Sequence, residues 1–139
     1  MNNLWFKFIN LGTKKVTYIV DNKILFAKKL LGNELSKALH KIHSGPINLR
    51  GANLEGTNLK KVFLPRANLE GANLEEVNLR GAYLQGANLR GANLSGADLR
   101  RADLCGADIR GALIYQTKLG YIPEDLIYSG DAQLQRFIL

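Results

Sequence analysis

Between Gly81 and Ala112 the chain reads GAYLQGANLRGANLSGADLRRADLCGADIRGA, with Leu or Ile at every fifth residue from Leu84 to Ile109. This period limits the fold more than any other feature. An α-helix advances about 500° in five residues and would scatter these side chains around its circumference. A flat strand would send alternate members to opposite faces. The period suits a chain that turns a corner every five residues, so that each side of a coil points its Leu inward. Stacked coils then bury a Leu ladder and pair neighbouring backbones about 4.8 Å apart. A short fixed period with no core inside the single repeat marks a solenoid.

The register extends well beyond that stretch. Its central slots are Leu49, Leu54, Leu59, Leu64, Leu69, Leu74, Leu79, Leu84, Leu89, Leu94, Leu99, Leu104, Ile109, Ile114 and Leu119, without insertion. Two residues earlier lies a second inward slot, filled by Ala in ten cases and otherwise by Ile47, Thr57, Val62, Val77 or Thr117. Between the two inward slots stands Asn eight times, and Asp at 98, 103 and 108. Gly fills nine of the corner slots. Lys61, Arg66, Glu76, Arg101 and Gln116 stand at others, which predicts a corner that does not require positive φ.

Segments such as Ala87-Asn88-Leu89-Arg90-Gly91 resemble the motif A(D/N)LXX of the pentapeptide-repeat family, and the resemblance covers residues 47–119. It implies an all-β solenoid: a right-handed, four-sided parallel β-helix of about four coils, with twenty residues per coil. The residues themselves favour that spacing. Twenty stacks Phe63 with Tyr83, Glu55 with Glu75, and Lys60 with Arg80 and Arg100, whereas fifteen would put Glu75 between Lys60 and Arg90. Some members of the family bind DNA gyrase and protect it from quinolones by presenting an acidic, duplex-like rod. This chain departs from that pattern, because its coil region is short and net positive.

A stack of parallel coils leaves an open edge at each end, so caps are expected on both flanks. Residues 1–46 are expected to form a strand-plus-helix capping unit, 47–121 the β-helix and 122–139 a short helical C-terminal cap. LWFKFI, VTYIV and KILFA read as strands, the last two joined across Asp21-Asn22, although KILFAKKLL also fits a helix. Asn33 can cap a helix with Leu35, Ala38, Leu39 and Ile42 on one face, stopped by Gly45-Pro46. At the other end, Pro123 with Glu124 and Asp125 predicts a helix start.

The net charge of +7 is uneven: residues 1–46 carry +6, 47–119 carry +3 and 120–139 carry −2. No apolar run reaches the ~18 residues of a membrane span. MNNLWFKFIN has Lys7 in its middle and no small-residue cleavage site, so the chain reads as cytoplasmic and not membrane-inserted. Cys105 is alone, which leaves no internal disulfide and no Cys-based metal site. His40 and His43 are three apart but lack an obvious third ligand.

Catalysis needs a nucleophile, a base and an orienting group held together. The repeats contain no His, and their three Asp stand where Asn recurs, as turn residues. The expectation is a non-enzyme with no cofactor and no metal. What remains is surface. One face carries Lys60, Lys61, Arg80, Arg100, Arg101 and Lys118, and the preceding face carries Glu55, Glu75 and Glu76, expected to balance it. Phe63 and Tyr83 take outward slots on the next face, and Leu113 is a similar exception on the acidic one.

These residues form the candidate binding surface of a scaffold that engages another protein, as a monomer or homodimer. The alternative is nucleic-acid or polyanion binding through the basic coil face and the N-terminal unit, where Lys14, Lys15, Lys23, Lys28 and Lys29 accompany Trp5, Phe6 and Tyr18.

Overall fold

Five residues form one side of a coil because each side ends in a tight turn. After Leu49 the chain bends through Arg50 and Gly51, and the Ala52 N–H donates back to the Leu49 carbonyl at 3.0 Å. Gly51 has φ of 65°. Positive φ at the third residue of such a turn, and not at the second, is the type II pattern. It recurs at every corner from Gly51 to Gln116 in a computed structural model that describes residues 46–128 and the backbones of strands 6–10, 16–20 and 23–27.

Four sides make a coil. Parallel bridges join Asn48 to Asn68, Asn53 to Asn73, Asn58 to Asn78 and Phe63 to Tyr83, and the same spacing of twenty recurs through Asn93 to Leu113. Leu49 N–H donates to the Asn68 carbonyl at 2.7 Å, and Asn68 N–H donates to the Ile47 carbonyl at 2.9 Å. The bridged sites are one residue long except where β4 (Asp98–Leu99) pairs in parallel with β5 (Lys118–Leu119). Corners interrupt pairing everywhere else.

Inside the coil, the central slots from Leu49 to Ile114 are all buried, and Leu84 and Leu89 have no exposed surface. The Ala slots beside them are buried from Ala52 to Ala107, their small size leaving room for the Leu of the neighbouring sides. Where Thr replaces Ala the hydroxyl finds an acceptor: Thr57 Oγ1 donates to the Leu54 carbonyl and Thr117 Oγ1 to the Leu94 carbonyl, both at 2.6 Å. The buried polar atom is thereby satisfied.

The expectation about the corners was wrong. Lys61, Arg66, Glu76, Arg101 and Gln116 all have positive φ, between 53° and 62°. An L-residue in that region costs on the order of 1 kcal/mol, and it persists because the hydrogen bonds on both sides of the corner leave the backbone no alternative. Glu76 N–H, for example, donates to the Ser95 carbonyl at 2.9 Å. The side chains also need space, which glycines provide. A Cβ on Gly96 would meet Glu76 Cγ at 3.2 Å, and one on Gly86 would meet Arg66 Cγ at 3.3 Å.

The helix expected from Pro123 is also absent as far as Tyr128. Pro123 to Leu126 makes a single turn, with Leu126 N–H on the Pro123 carbonyl at 3.2 Å, and the chain then extends again. Ile127 bridges Asp108 nineteen residues back, one short of the regular spacing. Its N–H donates to Ala107 and its carbonyl accepts from Ile109, each at 2.8 Å. An extended segment satisfies the open edge of the previous coil, whereas a helix would leave those groups unpaired. Leu126 is buried and Ile122 packs against the same core.

Near the other end, β1 (Phe6–Asn10), β2 (Val16–Val20) and β3 (Lys23–Ala27) form an antiparallel sheet in the order β1-β2-β3. The β-branched and aromatic content of these segments suits a pleated surface, and KILFA adopts the strand, not the helix, of its two readings. The register shifts between Tyr18 and Ile19. The helix expected over 33–42, His40 and His43, and residues 129–139 of the C-terminal segment lie outside the described residues.

Two predictions follow from this packing. Leu84→Ala or Leu89→Ala should cost about 2–5 kcal/mol in chemical denaturation, through lost transfer energy and a cavity, while outward Arg90→Ala stays within ~0.5 kcal/mol. At the corners, Glu76→Gly should stabilise by about 0.5 kcal/mol, because relief of the left-handed strain exceeds the added freedom of the unfolded chain. Gly96→Ala should destabilise by ~1 kcal/mol or more, since it gains both the strain and the contact with Glu76. Equal effects at the two corners would refute that account.

Candidate protein-binding surface

With Leu and Ala turned inward, the residues on either side of each central Leu face outward, and stacking arranges them in columns. The slot before the Leu has a definite task. In all eleven pentads with Asn or Asp there, the side-chain Oδ1 accepts the backbone N–H two residues on, at 3.1–3.3 Å. Those N–H groups lie at the second residue of each turn, so the side chain secures the corner. Asp98, Asp103 and Asp108 are turn residues, as their slot suggested.

Phe63 breaks this pattern for a visible reason. Two residues on stands Pro65, which has no N–H to offer, so an acceptor at position 63 would have no partner. Proline also favours the second position of a type II turn. The slot is released from its structural duty and holds an aromatic ring instead. Tyr83 occupies the same column one coil on. The two rings lie 5.8 Å apart at 53°, and remain 45% and 46% exposed. Leu113 is more exposed still, and Tyr115 two residues on stands beside it on the last coil. Tyr115, together with exposed Tyr121 and Tyr128, is not among the sequence-derived candidates, whereas the apolar Ile127 is readable as a residue closing the last coil. The outward slot of Tyr115 could have signalled it, whereas the others follow the shortened last coil.

The basic face is arranged as expected, with Lys60, Arg80 and Arg100 in one column. Lys60, Lys61, Arg100, Arg101 and Lys118 are exposed, and Arg80 is half-buried. Like charges about 5 Å apart repel by about 0.8 kcal/mol even in water. Glu55 and Glu75 each accept from an Asn amide of the following coil, Asn73 Nδ2 at 3.3 Å and Asn93 Nδ2 at 3.1 Å. Among the described residues, Arg100 is the only cation of this face in an ion pair, held by Asp98 through Nε at 2.9 Å and a second nitrogen at 2.7 Å.

That hydrogen-bonded pair holds the Asp98 carboxyl down at about 2, and Arg110 lowers Asp108 in the same way. On the aromatic face, Asp103 is lowered chiefly by the Cys105 thiol that donates to it, and its Oδ2 also accepts from Gln85 Nε2 at 2.6 Å. The same carboxylate raises the exposed Cys105 thiol, favouring the protonated form over the reactive thiolate. Among the described residues no group of His, Cys, Asp and Glu is placed to hold a metal ion, and no helix is long and apolar enough to cross a membrane.

The Asp98 carboxyl titrates near 3.8 when free and near 2 when folded, so its contribution is complete above about pH 4 and is lost as pH falls toward 2. Thermal melts across that window should show this loss. Asp98→Asn keeps the turn acceptor, as Asn does in eight other pentads, but loses the ionised pair, so it should lower stability above about pH 4, converge with wild type near pH 2 and so flatten part of the acid limb. An unchanged acid limb would show that the Asp98–Arg100 pair contributes nothing.

Pentapeptide repeats, as an array of eight copies, match residues 47–86 and 82–119, together more than half of the chain. No curated protein matches it. Among solved structures, a pentapeptide repeat protein of the Arabidopsis thaliana thylakoid lumen is 24% identical over 66% of this chain and 70% of its own, with a TM-score of 0.41. Rfr23 from the cyanobacterium Cyanothece 51142 is 37% identical over 59% of this chain and 60% of its own, with a TM-score of 0.33. QnrB1, a plasmid-mediated fluoroquinolone resistance protein, is 20% identical over 66% of this chain and 43% of its own, with a TM-score of 0.46. This chain therefore spans less than two thirds of Rfr23 and less than half of QnrB1. Its repeat signature over residues 47–119, carried on a coil of twenty residues, makes the protein a member of the pentapeptide-repeat family, whose fold is the right-handed quadrilateral β-helix.

Proposed function

We propose that this protein is a non-catalytic interaction scaffold of the cytoplasm, a stack of about four coils that binds another protein through an outward face. The observation that carries this reading is the pair Phe63 and Tyr83, two stacked, half-exposed rings in a slot that holds a turn-securing Asn or Asp in eleven other pentads. A rigid stack presents such side chains preformed, so little order has to be acquired on binding. The scaffold works as a monomer or closed dimer and uses no cofactor.

A second reading, polyanion binding, draws on Lys60, Lys61, Arg80, Arg101 and Lys118, which form no ion pair among the described residues. Capture from an extract of the source organism separates the two. A protein partner retained at high salt and after nuclease treatment supports the scaffold. Loss of all binding with salt, or with nuclease, supports the polyanion reading.

In this scheme residues 1–46 cap the first coil, 47–121 form the working surface and 122–139 close the last coil. Removing residues 1–46 bares Ile47, Leu49 and the backbone edge beside them, so the 47–139 fragment should aggregate or form end-to-end oligomers. Sedimentation at matched concentration checks this against the intact chain, expected to remain a monomer or closed dimer. A well-folded monomeric fragment would remove the capping role and strengthen the polyanion reading of the N-terminal lysines.

A further inference from the structure

The aromatic pair and the basic face meet at one corner of the coil. Lys60 and Lys61 precede Phe63 in the first turn of the column, and Arg80 precedes Tyr83 in the next. Arg66 stands at the corner on the other side of Phe63 and Pro65. The rings are thus bordered by four cations, none of which forms an ion pair among the described residues. The acids one coil on in these columns are already engaged: Asp98 by Arg100, and Asp103 by Gln85 and Cys105.

The arrangement also says what kind of contact is available. Backbone N–H and C=O groups along this corner are used between coils, as in Leu64 N–H on the Tyr83 carbonyl at 2.9 Å and Arg66 N–H on the Gln85 carbonyl at 2.7 Å. A partner cannot add a strand here and must be read by side chains. The two rings pack on one another at 53° with centroids 5.8 Å apart. That separation has no room for a flat base between them, and the tilt makes them a poor pair of parallel stacking platforms. They offer instead an apolar patch suited to an aliphatic or aromatic side chain. A cationic border around an apolar centre is complementary to carboxylates around an apolar anchor.

We propose that this corner docks an acidic polypeptide segment, with an apolar side chain seated on Phe63 and Tyr83 and flanking carboxylates on Lys60, Lys61, Arg66 and Arg80. The inference rests on the scaffold reading and adds to it the place of contact and the chemistry of the partner. Electrostatics sets the encounter rate and the orientation, and the apolar contact sets the lifetime of the complex.

The test uses the full chain and fluorescently labelled synthetic peptides, followed by polarisation. The parent probe is a short run of Glu and Asp around a central Leu-Phe pair. One control replaces Leu-Phe by Ser-Ser, another replaces the acids by Lys, and a third probe is an oligothymidine of similar length. The parent should bind at least about tenfold more tightly than each of the three. Phe63→Ser with Tyr83→Ser should weaken it about tenfold, mainly through faster dissociation. Lys60→Glu with Arg80→Glu should weaken it similarly, mainly through slower association and with a reduced salt dependence. Arg90→Gln, an exposed position on another face, should leave it nearly unchanged.

Tighter binding of oligothymidine would overturn the proposal in favour of nucleic acid. Equal binding of the parent peptide by wild type and the Phe63/Tyr83 variant would overturn the corner as the site. The scaffold reading fails separately: a protein captured from extract by wild type and equally by both corner variants removes this corner but keeps the scaffold. If wild type captures no protein, the scaffold itself is refuted. Near-identical circular dichroism and melting temperatures keep these comparisons free of folding effects.

Discussion

The coil from Ile47 to Leu119 depends on the turn that closes each pentad. Five residues can form a straight side only if the chain then changes direction within two of them, and the type II turn does this by placing its third residue at positive φ. Once that turn is repeated, the central Leu and the preceding Ala can only point inward, and the backbone of each side meets the next coil at hydrogen-bonding distance. The left-handed residue at a corner is bonded to the coil beyond it, as Gly51 N–H is to the Glu70 carbonyl at 2.9 Å. The corner and the stack therefore support each other. Strain at Lys61 or Glu76 is tolerated because neighbouring bonds outweigh it.

The surface inherits its organisation from the same turn. Its second residue has an N–H that points away from the ladder, and an Asn or Asp in the preceding slot satisfies it. This duty uses most of the outward column on every face, leaving limited freedom for function. Pro65 lifts the duty at one place by removing the N–H, and there the chain carries Phe63. Tyr83 lies on the next coil against that ring. The apolar corner is thus a local exception to a structural rule, which distinguishes it from a scattered exposed side chain.

Much of this was legible from residue spacing. The period of five set the inward slots from Leu49 to Ile114, and the twenty-residue grouping of Phe63 with Tyr83 and Lys60 with Arg80 matches the bridges observed. Two readings failed, each for a physical reason. Lys61, Arg66, Glu76, Arg101 and Gln116 were read as evidence against positive φ because L-residues avoid it in isolation. That preference is small beside several hydrogen bonds fixed by stacking. Pro123-Glu124-Asp125 has the local signature of a helix start, yet the open edge at Ala107 and Ile109 is a stronger local influence than the propensity of three residues.

The sequence by itself determined the solenoid, its side length and which residues face inward, because those follow from a periodic pattern that admits few backbones. It also supplied the candidate surface residues, since any outward slot without Asn or Asp stands out against the repeat. Only the tertiary structure decided what those residues do to one another. It engaged Glu55 and Glu75 with Asn amides of the following coil and paired Arg100 with Asp98. It also set the 53° tilt of the two rings and the shortened last coil at Ile127. Such choices depend on side-chain rotamers and on competition among neighbours on adjacent coils. A linear pattern records which residues can meet, whereas packing and hydrogen-bond geometry select which of them do.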